Sequence, residues 1–215
     1  MDSCYCCSKP GITIEHVPPR SFFKDKGKGI STLMTVPSCT EHNTKKSSAD
    51  EYLKFILTST SGGVPREVID RTARSIIRLM KKRSRSLGNY GFAECEGASS
   101  EYTTDGTAPA DFALIQEALM AIARAVYHYH SGRSKKLTSN LIAMPLFLGA
   151  DVGSDMDWKR QFCEIEMLTK EDFINRPVFG ANQDVFGYQV IEEADVGLVN
   201  MRFYREQLAC VITQQ

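Results

Sequence analysis

The chain has 215 residues, 42% of them hydrophobic and 24% charged, with 26 basic residues balanced by 26 acidic ones. This composition excludes a disordered or fibrous chain and is enough for one sizeable core plus a small metal-stapled module. A net charge of zero excludes global attraction to polyanions, so any nucleic-acid surface must come from local patterning. Seven cysteines without a leader-like segment, and no apolar run near the roughly 18 residues that span a bilayer, lead us to expect a reducing, cytoplasmic setting. Cysteines there more often bind metal than pair as disulfides.

In chain order, two short ligand pairs come first: Cys4-x-x-Cys7 and Cys39-x-x-His42, bracketing the acid-histidine pair Glu15-His16. A two-residue gap lets both side chains of one tight turn reach the same ion, and four such groups fill the tetrahedral shell of zinc. The spacing therefore predicts a closed, structural zinc site, with Cys6 as an alternative to Cys7. Residues 12–17 alternate apolar and polar, predicting a strand with Glu15 and His16 on opposite sides. Residues 20–28, basic and carrying Phe22 and Phe23, read as a mobile hairpin loop, and 33–36 as the returning strand. A helix is predicted from 38–43 through residue 57, with Asn43 at its start and Lys45 and Lys46 placed to touch phosphate.

The Ser/Gly-rich stretch 59–65 marks a boundary between a module at 1–60 and a region at 66–215. Within 66–87 the periodicity predicts a helix with an apolar stripe (Ile69, Ala73, Ile76, Ile77, Met80) and a basic one (Arg71, Arg74, Arg78, Lys81, Arg85). The basic stripe is either a solvated face or a phosphate-tracking surface. Residues 88–109 read as a long surface loop or lid. A second helix at 111–130 buries Ile115, Leu119, Ile122 and Val126, ends at Gly132, and carries His128 and His130, too far apart in angle to share a metal. Strands are expected between 141 and 212, at 141–148, at 160–168, around Phe186-Tyr188-Val190, and in a terminal hairpin turning at Arg205-Glu206. Trp158, Cys95, Cys163 and Cys210 read as packing residues. The fold class is thus α+β, helices against a small antiparallel sheet.

The order C-x-x-C, E-H-V-P-P, T-V-P-S-C-T-E-H-N resembles the HNH (ββα-metal) endonucleases, and more narrowly a bacterial group with D-H-V-P-P and T-V-P-x-C-x-x-C-N. Glu15 stands where that family usually has Asp, and His42 where it has a second Cys; its middle Asn is absent near Ser31, Thr32 and Met34. The resemblance implies an N-terminal zinc-held, treble-clef-like ββα module. His16 would be the general base, Glu15 and Asn43 the oxygen ligands of one Mg²⁺ or Mn²⁺, and Cys4, Cys7, Cys39 and His42 the holders of zinc. It implies an endonuclease acting on DNA, with RNA also open, as a homodimer where both strands are cut. The C-terminal region would take a regulatory ligand or partner, in phage defence for example. The alternative is a catalytically silent zinc module that binds nucleic acid or protein.

Overall fold

The computed structural model describes residues 2–27, 33–44, 47–83, 111–137, 140–149, 156–193 and 196–214. Lys45, Lys46, Arg85, Cys95 and the expected loop at 88–109 lie outside them, as do the side chains of Ile76, Ile77, Arg78, Met80 and Lys81.

Strands β1 (Thr13–His16) and β2 (Thr35–Ser38) pair antiparallel, with Glu15 opposite Val36 and His16 opposite Thr35. Helices α1 (Thr40–Thr44) and α2 (Ser47–Thr60) follow, then α3 (Arg66–Arg83) and α4 (Phe112–His130). The second sheet has the order β3-β7-β6-β5-β4 and is antiparallel throughout: β3 Leu141–Met144, β4 Phe179–Asn182, β5 Phe186–Glu193, β6 Val196–Phe203 and β7 Gln207–Gln214. Helix α5 (Met156–Asn175) precedes β4. The α+β class and the antiparallel sheet stand as expected, and the terminal hairpin turns through Tyr204 and Arg205, both at positive φ.

The sheet lies between α4 and α5. Pleating sends Tyr188, Val199, Met201, Phe203, Ala209 and Val211 toward α4, while Leu198, Leu208, Cys210 and Ile212 meet α5. On α4 the four expected contacts Ile115, Leu119, Ile122 and Val126 are all buried, and Gly132 follows the helix at positive φ. Asp111 caps α4 by accepting from the Leu114 N–H at 3.2 Å, and its own N–H donates to the Tyr52 hydroxyl at 2.7 Å. Asp111→Ala is therefore expected to cost about 1 kcal/mol, read as a lowered midpoint in chemical denaturation. An unchanged midpoint would remove the cap from the account.

Several expectations are corrected. The expected strand at 160–168 is part of α5: Trp158, Phe162, Ile165, Thr169 and Phe173 recur at helical spacing and pack on β7, which loose alternation concealed. The run 141–148 is a strand only to Met144; Pro145 ends it and a 3-10 turn, Leu146–Leu148, follows. The segment at 20–27 is anchored rather than a free loop, since Phe22 and Phe23 are buried between and within two 3-10 turns, while Lys24, Asp25 and Lys26 stay exposed. On α3 the buried seam among the described side chains is Val68 and Thr72, with Ile69 and Ala73 exposed, and the helix leans on α2 and on the 20–27 turns. Cys210 is buried as expected, but Cys163 is exposed on the outer face of α5. One buried apolar cluster joins Cys4, Phe22 and Leu57 to Tyr204 and Val211, so it draws on both sides of the 59–65 stretch.

Candidate metal centre

The N-terminal knuckle is built by backbone bonds before any side chain is considered. Cys4 N–H donates to the Lys9 carbonyl at 2.8 Å, Gly11 N–H to the Asp2 carbonyl at 2.9 Å, and Tyr5 N–H to the Pro37 carbonyl at 2.8 Å. The last bond sews the knuckle to β2. Glycine is required at 11, because a Cβ there would sit 2.5 Å from the Pro37 Cβ. At the far end, Cys39 immediately precedes α1 and its carbonyl accepts the first helical bond, from Asn43 N–H at 3.0 Å. His42 thus comes back over Cys39 within one turn.

The result is one group, Cys4, Cys7, Cys39 and His42, whose ligand atoms all lie within 4.8 Å of one another. Cys4 Sγ is 3.6 Å from His42 Nδ1, Cys39 Sγ is 3.2 Å from the same nitrogen, and Cys7 Sγ is 3.9 Å from Cys39 Sγ. A tetrahedral ion with bonds of about 2.3 Å to sulfur and about 2.0 Å to nitrogen needs edges of about 3.6 to 3.8 Å. The group is shaped to hold a metal ion, and its thiolate-imidazole chemistry is consistent with structural zinc. Cys7 rather than Cys6 falls within the group, and the Cys6 backbone N–H points at Cys4 Sγ at 3.5 Å. Burial raises the Cys4 thiol, but the backbone N–H groups of Cys6, Cys39 and Cys7 outweigh it and hold the thiol below its ordinary range. For Cys39, burial is likewise outweighed, chiefly by the backbone and side chain of His42. Both shifts favour the thiolate form suited to a metal, whereas burial raises the Cys7 thiol.

Sequence reasoning did not find what clamps this centre from outside. Lys136, after α4, donates to the Cys7 carbonyl and to Ser3 Oγ, both at 2.7 Å, and Arg133 pairs with Asp2 at 3.0 Å. Lys9 pairs with Glu41 at 2.6 Å, joining the knuckle to α1. No sequence motif announces contacts across such separations.

Glu15 and His16 sit on β1 against α1, which carries Asn43, so the three residues expected to do the chemistry lie on two neighbouring elements. The strand is inverted relative to its hydropathy: Ile14 is 69% exposed, whereas Glu15 is 7% exposed. Glu15 faces inward near Tyr5, whose hydroxyl is pushed far above its ordinary pKa by burial and then by Cys6, Glu15 and Asp50. His16, on the other side as expected, is half-buried, and burial with the nearby Arg20 charge holds its imidazole below the ordinary histidine value. Asn43 is half-buried. Among the described residues, no second group of three His, Cys, Asp or Glu side chains gathers as the metal group does.

Of the expected phosphate-contacting residues, Arg71 is half-buried and its guanidinium donates to the Phe23 carbonyl at 2.8 Å, which commits it to the fold. Arg74 is on the exposed face of α3. His128 is buried, with Nδ1 2.9 Å from the Lys135 carbonyl, and His130 packs edge-on to Phe179, so the two point apart as expected. Among the described residues no helix is long and apolar enough to cross a membrane. Compared with family models, curated proteins and solved structures, the chain finds no match.

Proposed function

We propose that this chain is a metal-dependent endonuclease of the HNH kind, hydrolysing phosphodiester bonds in DNA, with structural zinc at Cys4, Cys7, Cys39 and His42. The observation that carries the reading is the joint held by the four-ligand group: His42 and Asn43 are neighbours on α1, and α1 rests on the strand bearing Glu15 and His16. An ion there would pin the two chemical elements together while taking no part in the reaction. His16 is the proposed general base, and its neutral form, favoured by burial and by Arg20, is the form that accepts a proton from water. Glu15 and Asn43 offer hard oxygens to one Mg²⁺ or Mn²⁺. That ion would neutralise charge on the phosphate, with water and a phosphate oxygen filling the rest of its shell. Arg74, and Lys45 and Lys46, which follow Thr44 in the sequence, are the proposed phosphate contacts, while Arg71 supports the 20–27 turn instead.

Burial of Glu15 favours a second reading, in which the module is catalytically silent and binds nucleic acid or a partner. A plasmid-nicking assay in Mg²⁺ and Mn²⁺ separates the two, run beside His16→Ala with zinc quantified in both proteins. The expected result is nicking by the parent and a loss of 10²- to 10⁴-fold in the variant at equal zinc content, the usual range for a general base. Nicking by His16→Ala at the parental rate would sink the mechanism, and no nicking by either zinc-loaded protein would favour the silent module.

The pH dependence has a definite sign. Because the folded His16 pKa lies below its ordinary value of about 6.5, its base form persists to more acid pH. The cleavage rate is expected to fall as pH drops through that lowered pKa, giving an acid limb below about pH 6.5. An acid limb above that value would count against His16 as the base.

A further inference from the structure

A cleft of about 280 Å³ opens between the N-terminal hairpin and the β4 edge of the larger sheet. Five aromatic residues line it, the buried Phe23, Phe186 and Tyr188 and the partly exposed Tyr129 and Phe179, together with Asn182. The Phe179 and Tyr188 rings lie 5.7 Å apart with a 33° tilt, and Phe186 stacks on Tyr188 at 6.1 Å, so the sheet side of the cleft is a run of rings. Tyr129 and Phe179 remain 43% and 42% exposed. Glycine is needed at 180, where φ is +135° and a Cβ would lie 2.5 Å from the Phe186 carbonyl oxygen. That close approach, at the irregularity between Phe179 and Asn182, lets β4 form this wall. The opposite wall begins at Val17 and Pro18, the residues directly after His16, and the Arg20 cation lies within electrostatic reach of that histidine.

We propose that this cleft takes an unpaired nucleobase from a single-stranded stretch of nucleic acid whose phosphate lies at His16. The inference rests on the endonuclease reading for the nature of the ligand. The partly exposed Tyr129 and Phe179 rings, backed by the buried ones, suit a planar heterocycle, since base-aromatic stacking uses the π-face that every base has. Asn182, which also lines the cleft, carries an amide whose NH2 and carbonyl suit a base edge. Arg20 supplies the complementary charge for the backbone. A base inside a duplex does not reach such a slot without being flipped out of the stack.

The test uses the full chain carrying His16→Ala, without divalent cations, so that binding is read apart from cleavage. Fluorescence anisotropy would follow a labelled deoxythymidine oligomer of about ten nucleotides, an abasic oligomer of equal length and a duplex. We expect the base-bearing strand to bind more tightly than the other two, and Phe179→Ala to weaken it about tenfold with little further effect on the abasic strand. Tyr129→Ala serves as the second variant, and an unchanged melting temperature certifies the fold of both. Equal binding of base-bearing and abasic strands, or parental affinity in both variants, would overturn the proposal. Base-dependent binding without nicking by the wild-type chain keeps the cleft and removes the nuclease. Nicking without base-dependent binding does the reverse.

Discussion

Removing the metal from Cys4, Cys7, Cys39 and His42, by chelation or by Cys39→Ala, is expected to unfold the knuckle, the β1-β2 hairpin and α1 together. None of these elements is long enough to stand alone. The β1-β2 ribbon is two-stranded with four residues per strand, marginal in water on its own, and α1 has only five residues. Cys4 and Cys39 are buried, and without the ion their sulfurs would stay in the interior with no ligand bond to offset that burial. Structural zinc sites in small modules carry about 10 to 16 kcal/mol of apparent binding free energy, much of which appears as folding free energy. Circular dichroism and melting curves with and without chelator, followed by titration of Zn²⁺, would measure the effect. Cys6→Ala, outside the ligand group, should retain both the metal and the fold. A metal-free chain that melts at the parental temperature would show that the group is not a structural centre.

Phe22→Ala is expected to destabilise the whole chain by about 3 to 5 kcal/mol, the usual cost of emptying a fully buried aromatic site. The Phe22 ring is fully buried, lies 6.0 Å from Phe203 of β6, and its carbonyl accepts from the Tyr204 hydroxyl at 3.0 Å. Burial pushes that hydroxyl well above its ordinary pKa, so it stays a donor at any neutral pH. Gln207 adds a second link, donating to the Leu57 carbonyl at 3.1 Å and to Thr60 Oγ1 at 2.6 Å. These contacts tie the N-terminal turns and α2 to the last hairpin. The expected signature is a single cooperative transition, lowered in the variant, in both near- and far-ultraviolet signals. If residues before the 59–65 stretch melted separately while the remaining transition stayed unmoved, the coupling would be refuted.

Legibility in the sequence followed the range of the interaction. Cys4-x-x-Cys7 and Cys39-x-x-His42 were readable because ligand spacing within one turn is a local geometric constraint. The α4 stripe and the last hairpin were readable for the same reason, since each repeats an apolar pattern over many residues. The choice of Cys7 over Cys6 was not, because both lie in the same turn and only the position of α1 distinguishes them. Helix α5 was missed where its apolar positions were diluted by exposed Met167 and Leu168, which blurred the period.

By itself, then, the sequence determined the meeting of an N-terminal cysteine knuckle with Cys39 and His42, the α+β class and the pairing of the final strands, all of which rest on short-range spacing or repeated periodicity. Only the tertiary structure decided which side of β1 is inside, that Arg71 is spent on the Phe23 carbonyl, and that Val17 and Phe179 wall one cleft. Those outcomes depend on contacts between residues far apart in the chain. Hydropathy along a strand or helix records how apolar each face is, but not which neighbour arrives to cover it.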